Sequence, residues 1–554
     1  MTWESIAASK KKSVYEGIPV EWRLSQIPLI EEVPNVYVYL NNVLSKEERE
    51  ITNLTAVEIA NRIKSGQLTS LVVTKAFCHR AALTHQLTTC CSEIFFDRAF
   101  ERAAFLDKYY KDNNGSVLGP LHGVPLSLKD QVNLEGIDSA IGYVSQVNKP
   151  KSKDEVSLLA KILEKAGAVF YVKTTTPMAM LAASTTSNIY GSTLNAFNRK
   201  LSSGGSSGGE GAIVGARGAP LGFGTDIGGS IRIPSSFQGL YGLRASSNRI
   251  PYVNVSNSYS SAPVLSSVIG PMSWDLDDLK FVTKLILDAE PWLNDPKTPP
   301  VPWREQTKLE NSPKLTFGII SGNGFSRLHP PIERALKMAR EALEAQGHEI
   351  IEWEMPVKFQ ELRDLYASIS STDGYKEVID ECAKSGEPIV RDLLKGFQSD
   401  GDKLPKFPKG ISHVHEEWEY AKLRYEYQQR FDRYWLSTIS STTTGRAIDG
   451  ILSPVWESAS FKPNDVRYFG FSYTVLVNIL DLSSITVPVT VADKSIDTKD
   501  PTYVPSGEED QRIWDYYDPE LYHGAQAGIQ IITPRYEEER AIFLAGVLRD
   551  SLLN

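Results

Sequence analysis

The chain has 554 residues, 41% of them hydrophobic and 23% charged, with a formal net charge of −9. That apolar share is enough for a large packed core or several domains, and it excludes a chain disordered throughout. The acidic balance argues against the broad basic footprint of a nucleic-acid-binding protein.

Four cysteines, Cys78, Cys90, Cys91 and Cys382, are too few for a disulfide scaffold and show no CxxC or Cys/His metal spacing. Adjacent Cys90 and Cys91 therefore read as reduced packing residues. The first residues, MTWESIAASKKKSVYEG, carry lysines with no apolar run behind them, unlike a secretory signal. No apolar stretch is long enough to span a bilayer, and the final RDSLLN holds no peroxisomal or retention signal. The expected location is the cytoplasm.

Residues 1 to about 50 are broken by Pro19, Pro28 and Pro34 and read as an extension lying over a larger body. Thr55-Ala-Val-Glu58 is a capping box that opens a helix ending near Gly66. A second helix runs from Ser70 to about His85. VPLSLKD, residues 124–130, is short and apolar and predicts a buried strand with Lys129 at its polar end. DEVSLLAKILEKAGAVFYVKT, from Asp154, predicts an amphipathic helix, a stop at Gly167 and a strand. The same order recurs where LTFGII, residues 315–320, precedes IERALKMAREALEAQGHEIIEWE. Such alternation predicts an α/β fold with a buried sheet. The stretch 395–412 reads as an exposed loop, and the helix 414–436 after it carries Trp418, Tyr420, Tyr425 and Tyr434 as expected packing residues.

The most unusual segment is SSGGSSGGEGAIVGARGAPLGFGTDIGGSIRIP, residues 202–234. A flexible linker would lack the apolar anchors Ile213, Val214, Leu221, Phe223 and Ile231 that interleave it. A phosphate loop would need a Gly-Lys pair or GxGxxG, and neither occurs. Gly204-Gly-Ser206-Ser-Gly208 and Gly205-Ser-Ser207-Gly-Gly209 match the GxSxG nucleophile elbow of α/β-hydrolase esterases, but the residues before them, NAFNRKLSSG, are polar rather than strand-like. In the second half, Ile227, Gly228, Gly229 and Ser230 form a turn of little bulk, whose backbone N–H groups can converge as an oxyanion hole beside Ser230. A serine there needs a base. Either one of the eight histidines arrives through the fold, or Lys129, made neutral by burial, serves, with Ser206 or Ser207 relaying the proton.

GVPLSLKD, SSGGSSGGEGA and GTDIGGSIRIP, in this order, resemble the amidase signature family of serine hydrolases, and most closely its fungal acetamidase-type and general amidases. AFCHRAA, VLGPLHGVP, AGAVFYVKT, YGLRASSNRIPY, LDLSSITVPVT and YHGAQAGIQII extend the likeness over the chain from residue 55 onward. The resemblance implies a central mixed β-sheet covered by helices on both faces. It implies a single domain over 55–554, with a catalytic core at about 120–250, a more variable region at about 290–450 and residues 1–54 as an N-terminal extension.

Carried onto this chain, the family's Ser-cisSer-Lys triad implies Ser230 as nucleophile, Ser206 as the cis-serine and Lys129 as base. The oxyanion hole would be made by Ile227, Gly228, Gly229 and Ser230. Ser207, Asp226 and Arg232 would support the turn, and Met180, with Leu181 beside it, would contact the substrate's acyl group, as would Ser206. The implied reaction is hydrolysis of a small-molecule amide, with no metal and no organic cofactor. The resemblance implies no nucleic-acid partner and leaves self-association into a homodimer open. Asn195-Ala196 departs from the family's usual Asn-Pro. An amidotransferase-like subunit is the alternative within the same fold.

Overall fold

The computed structural model describes residues 1–259, 262–390, 393, 412–465 and 471–553. The loop expected at 395–412 lies outside these except for its last residue. The strands are β1 (Cys91–Ile94), β2 (Pro125–Lys129), β3 (Val169–Thr174), β4 (Thr186–Ser187), β5 (Gly191–Ser192), β6 (Leu221–Asp226), β7 (Tyr241–Arg244), β8 (Val268–Ser273), β9 (Thr316–Ile319), β10 (Glu349–Glu352), β11 (Gly450–Pro454), β12 (Ser483–Val491) and β13 (Gln526–Thr533). Eleven of them form one mixed sheet in the order β1-β3-β2-β6-β8-β7-β12-β13-β11-β9-β10, while β4 and β5 pair as a small hairpin.

Helices cover both faces of the sheet. Gly208–Gly215 and Arg232–Phe237 pack together on one side, and Leu276–Asp288, Pro330–Ala345 and Glu538–Leu553 form a layer on the other. This explains why β3, VFYVKT, is buried at every residue instead of alternating: a strand with helices on both faces has no solvent side. The same holds for β2, PLSLK.

β2 lies between β3 and β6 and runs parallel to both, so the three carboxyl ends reach one edge of the sheet. In an open α/β sheet this edge is where ligands are received. The register sets Leu128 opposite Phe223, which brings Lys129, one residue on, and Thr225, two residues on, to the same end of the sheet. Ser127 and Lys129 share one face by the two-residue period, and that face looks onto the glycine-serine tract. Gly222 has to be glycine here, because a Cβ would overlap the Glu210 carboxylate and the Ser127 hydroxyl.

The capping box at Thr55 and Glu58 forms as expected and opens the helix Ala56–Lys64. The next helix runs to Thr88, beyond His85, and closes at Thr89 with φ 58°. In the first 54 residues, the buried Lys10 of helix Trp3–Glu16 pairs with Glu93 and with Asp138 at 2.9 Å. Arg199 binds the carbonyls of Pro28 at 3.2 Å and Val33 at 3.1 Å, which fixes that segment against the body.

Two packing expectations are corrected. In helix Val414–Ser437, Trp418 is 67% and Tyr425 61% exposed. The buried stripe is Tyr427, Phe431 and Trp435, with Tyr420 and Tyr434 at its flank, and Tyr425 lies about 200° around the helix from Tyr427. All four cysteines are free and buried, as read from the sequence. The fold nevertheless brings His85 to Cys90 and Cys91, the donor atoms within 4.8 Å of one another. The His85 Nδ1 is already taken there, accepting the Cys91 N–H at 3.0 Å.

Gly222→Ala should lower stability by about 1–3 kcal/mol through overpacking against Glu210, read as a lower urea midpoint. An unchanged midpoint would show that the helix carrying Glu210 can move aside.

Candidate active site

Lys129 ends β2 fully buried. Its Nζ bonds to Ser206 Oγ at 2.8 Å and to Thr225 Oγ1 at 2.6 Å. Burial pushes its pKa down from 10.5 to about 7, against the opposing pull of Asp226, Glu210 and Asp130. Glu210 is itself pushed by burial up to about 8, with Ser127 Oγ donating to it at 2.6 Å and Thr174 Oγ1 at 3.0 Å. Among the described residues, the lysine thus has hydroxyl neighbours and no directly bonded carboxylate.

Ser206 follows Gly205 through a cis peptide bond. The tract before it is fastened by Thr185, whose hydroxyl donates to the Gly204 carbonyl at 2.8 Å and accepts from the Gly208 N–H at 3.1 Å. The nearest preceding strand, β5, stops at Ser192, so the strand-to-helix elbow of an α/β-hydrolase is not formed. Ser207 is turned inward. Its hydroxyl donates to the Thr225 carbonyl and accepts the Thr225 N–H, both at 3.2 Å, which binds the tract to β6.

The turn after β6 is clamped by charge. Arg232 binds Asp226 through two parallel bonds of 3.0 Å, and also reaches Asn478 Oδ1 at 2.8 Å and Gln530 Oε1 at 3.0 Å. Burial alone would raise the Asp226 carboxyl, but the paired guanidinium and the Asn478 amide outweigh it and hold the acid well below the usual carboxylate range. Asp226 then accepts the N–H groups of Gly229 at 2.9 Å and Ile231 at 3.2 Å, and Thr474 Oγ1 donates to the Gly228 carbonyl at 2.7 Å. Gly229 has φ +125°, a conformation that L side chains rarely adopt.

This narrows the expected oxyanion hole. The Gly229 N–H is committed to Asp226, whereas the N–H groups of Ile227, Gly228 and Ser230 have no hydrogen-bond partner among the described residues. Ser206 and Ser230 both face one cavity, which Met180, Leu181, Ala179 and Ile227 also line. Ser230 is 8% exposed, and its carbonyl accepts the Ser207 N–H at 3.2 Å. Among the described residues, no direct bond joins Ser206 Oγ to Ser230 Oγ. Of the expected residues, Met180, Leu181, Ser206, Ile227 and Ser230 line one cavity, and Lys129 reaches it through its bond to Ser206.

At the departure from Asn-Pro, the Ala196 N–H, which proline would lack, donates to Gln238 Oε1 at 3.1 Å. Thr225, Gln131 and Asn478 also hold the site and were not singled out from the sequence. Thr225 immediately precedes Asp226 and Gln131 lies two residues past Lys129, so a polar residue beside each motif was the available signal. Asn478 lies 246 residues from its partner Arg232, and nothing local announces it.

A family model described as Amidase matches residues 72–542. The acetamidase of Emericella nidulans is 39% identical over 98% of this chain and 97% of its own. A probable amidase of Saccharomyces cerevisiae is 36% identical over 99% and 98%. Among solved structures, a fatty acid amide hydrolase superposes with a TM-score of 0.90 at 32% identity, covering 99% of this chain and 95% of that one.

Asp226→Asn should cost about 3–5 kcal/mol of stability, because it leaves the buried Arg232 without its counter-ion. Denaturant unfolding at neutral pH reads this loss. Since the Asp226 carboxyl is depressed in the fold, its contribution is present above the unfolded carboxylate range and vanishes only in strong acid.

Proposed function

The chain belongs to the amidase family and hydrolyses amide C–N bonds, and from that premise we propose that it works through an acyl-enzyme on Ser230, with Lys129 as general base and Ser206 as proton relay. The observation that carries this reading is the 2.8 Å contact between the buried Lys129 Nζ and Ser206 Oγ, whose residue lines the same cavity as Ser230. A lysine whose pKa lies near 7 offers a lone pair at working pH, which an exposed lysine does not.

The steps follow from that proton inventory. The neutral amine takes the Ser206 proton as Ser206 takes that of Ser230, and Ser230 Oγ bonds to the amide carbon. Charge gathers on the carbonyl oxygen, which the free N–H groups of Ile227, Gly228 and Ser230 receive. The proton returns by the same path to the departing nitrogen as the C–N bond breaks. Water then attacks the acyl group with the relay as base, releasing the carboxylate.

The substrate class is a small-molecule amide. Ala179, Met180, Leu181 and Ile227 among the cavity's lining residues suit a short apolar acyl group, and the Emericella nidulans relative is named an acetamidase. Ammonia release from simple amides by the purified chain, with no partner protein added, tests this. Turnover that required a partner would support the amidotransferase-like alternative instead.

Ser230→Ala should lower kcat by about 10⁴-fold or more and abolish labelling by a fluorophosphonate probe. Labelling of the Ala variant would remove Ser230 as nucleophile. Wild-type kcat/KM should rise with pH through an apparent ionisation near 7 that belongs to the coupled triad, because the protonated lysine is inactive as a base. Lys129→Arg should be nearly as inactive as Lys129→Ala, since guanidinium keeps its proton. An Arg variant close to wild type would defeat the base assignment.

A further inference from the structure

Lys129 Nζ touches two hydroxyls, Ser206 and Thr225, and a hydroxyl can either donate or accept. If Thr225 turned its proton toward the neutral amine, it would occupy the lone pair that Ser206 needs. The direction of one hydroxyl proton therefore decides whether the base is available.

Gln131, fully buried, removes the ambiguity. Its Nε2 donates to the Ser256 carbonyl at 2.8 Å, and Asn257 Oδ1 and Tyr252 Oη lie at 3.2 and 3.3 Å. A carbonyl oxygen only accepts, so the amide nitrogen must occupy that side and Oε1 must face Thr225. Oε1 also only accepts, so the Thr225 hydroxyl has to donate to it. The lone pairs of Thr225 then remain for an N–H of Lys129. The Ser256 N–H closes the arrangement by donating to the Gln131 carbonyl at 2.9 Å.

We infer that Gln131 is a positioning residue for the proton relay: by making Thr225 an acceptor toward Lys129, it keeps the Nζ lone pair directed at Ser206. It also ties the base to the substrate, because Asn257, which it holds, is part of the cavity wall. This rests on the reading of Lys129 as the general base.

Steady-state kinetics of Gln131→Met, Gln131→Glu and Lys129→Ala on one simple amide test it. Gln131→Met removes the acceptor and should lower kcat by about tenfold or more with KM changed less than about twofold, the size expected of one oriented polar hydrogen bond. Gln131→Glu still offers Thr225 an accepting oxygen, ionised or not, and should recover kcat at its pH optimum to within about fivefold of wild type. A residue that only packs would give no such recovery. If Gln131→Met does not fold, Gln131→Asn, which keeps the amide but is one methylene too short to reach Thr225, should show the same fall in kcat. Wild-type kcat in Gln131→Met, or equal losses in the Met and Glu variants, would overturn the inference. An active Lys129→Ala would instead overturn the base assignment beneath it, so the two failures are separable.

Discussion

Everything at this site depends on the desolvation of one ammonium group. Lys129 is carried into the interior by an apolar strand flanked by two parallel neighbours, and hydroxyls rather than carboxylates are bonded to its nitrogen. Its pKa falls from 10.5 to about 7, so the folded chain holds it neutral where the unfolded chain would hold it charged. The sign of the consequence is fixed by linkage. As pH falls from about 10 to about 7 the unfolded state gains a proton that the folded state refuses, and stability declines over that window. The fold carries this penalty at neutral pH, and the large buried core offsets it.

A second buried cation on the same side of the sheet shows the opposite solution. Arg232 is as deeply buried as Lys129 but meets the Asp226 carboxylate through two parallel bonds, so both charges persist. That pair then spends the remaining acceptors of Asp226 on the N–H groups of Gly229 and Ile231. One cation has hydroxyl partners only, among the described residues, and the other is paired with a carboxylate and holds a turn. The difference between them lies in what stands within bonding distance and in the guanidinium's stronger hold on its proton.

Much of this was legible in the sequence, and what was not has a physical reason. The strand ending at Lys129 follows from the apolar run of VPLSLKD, and the packed nature of the glycine-serine tract follows from its interleaved Ile, Val, Leu and Phe residues. Low bulk at Ile227–Ser230 reads as room for the four amides to converge, while only the fold shows that Asp226 accepts the Gly229 N–H. Trp418 and Tyr425 were read as packing residues because aromatic content does not say which face of a helix meets the core. Asn478 and Gln530 reach Arg232 from the far half of the chain, a pairing that only tertiary structure creates.

The central claim is that Lys129 gives up its proton near pH 7 in the folded enzyme, and a direct titration tests it best. Lysine labelled with ¹³C at Cε, with Lys129 assigned by comparison with Lys129→Ala, gives a chemical shift that follows the protonation of Nζ. A midpoint close to 7, well separated from exposed lysines near 10.4, is the result predicted here. A Lys129 resonance titrating with the exposed lysines would mean that the amine is charged during turnover and would contradict the account.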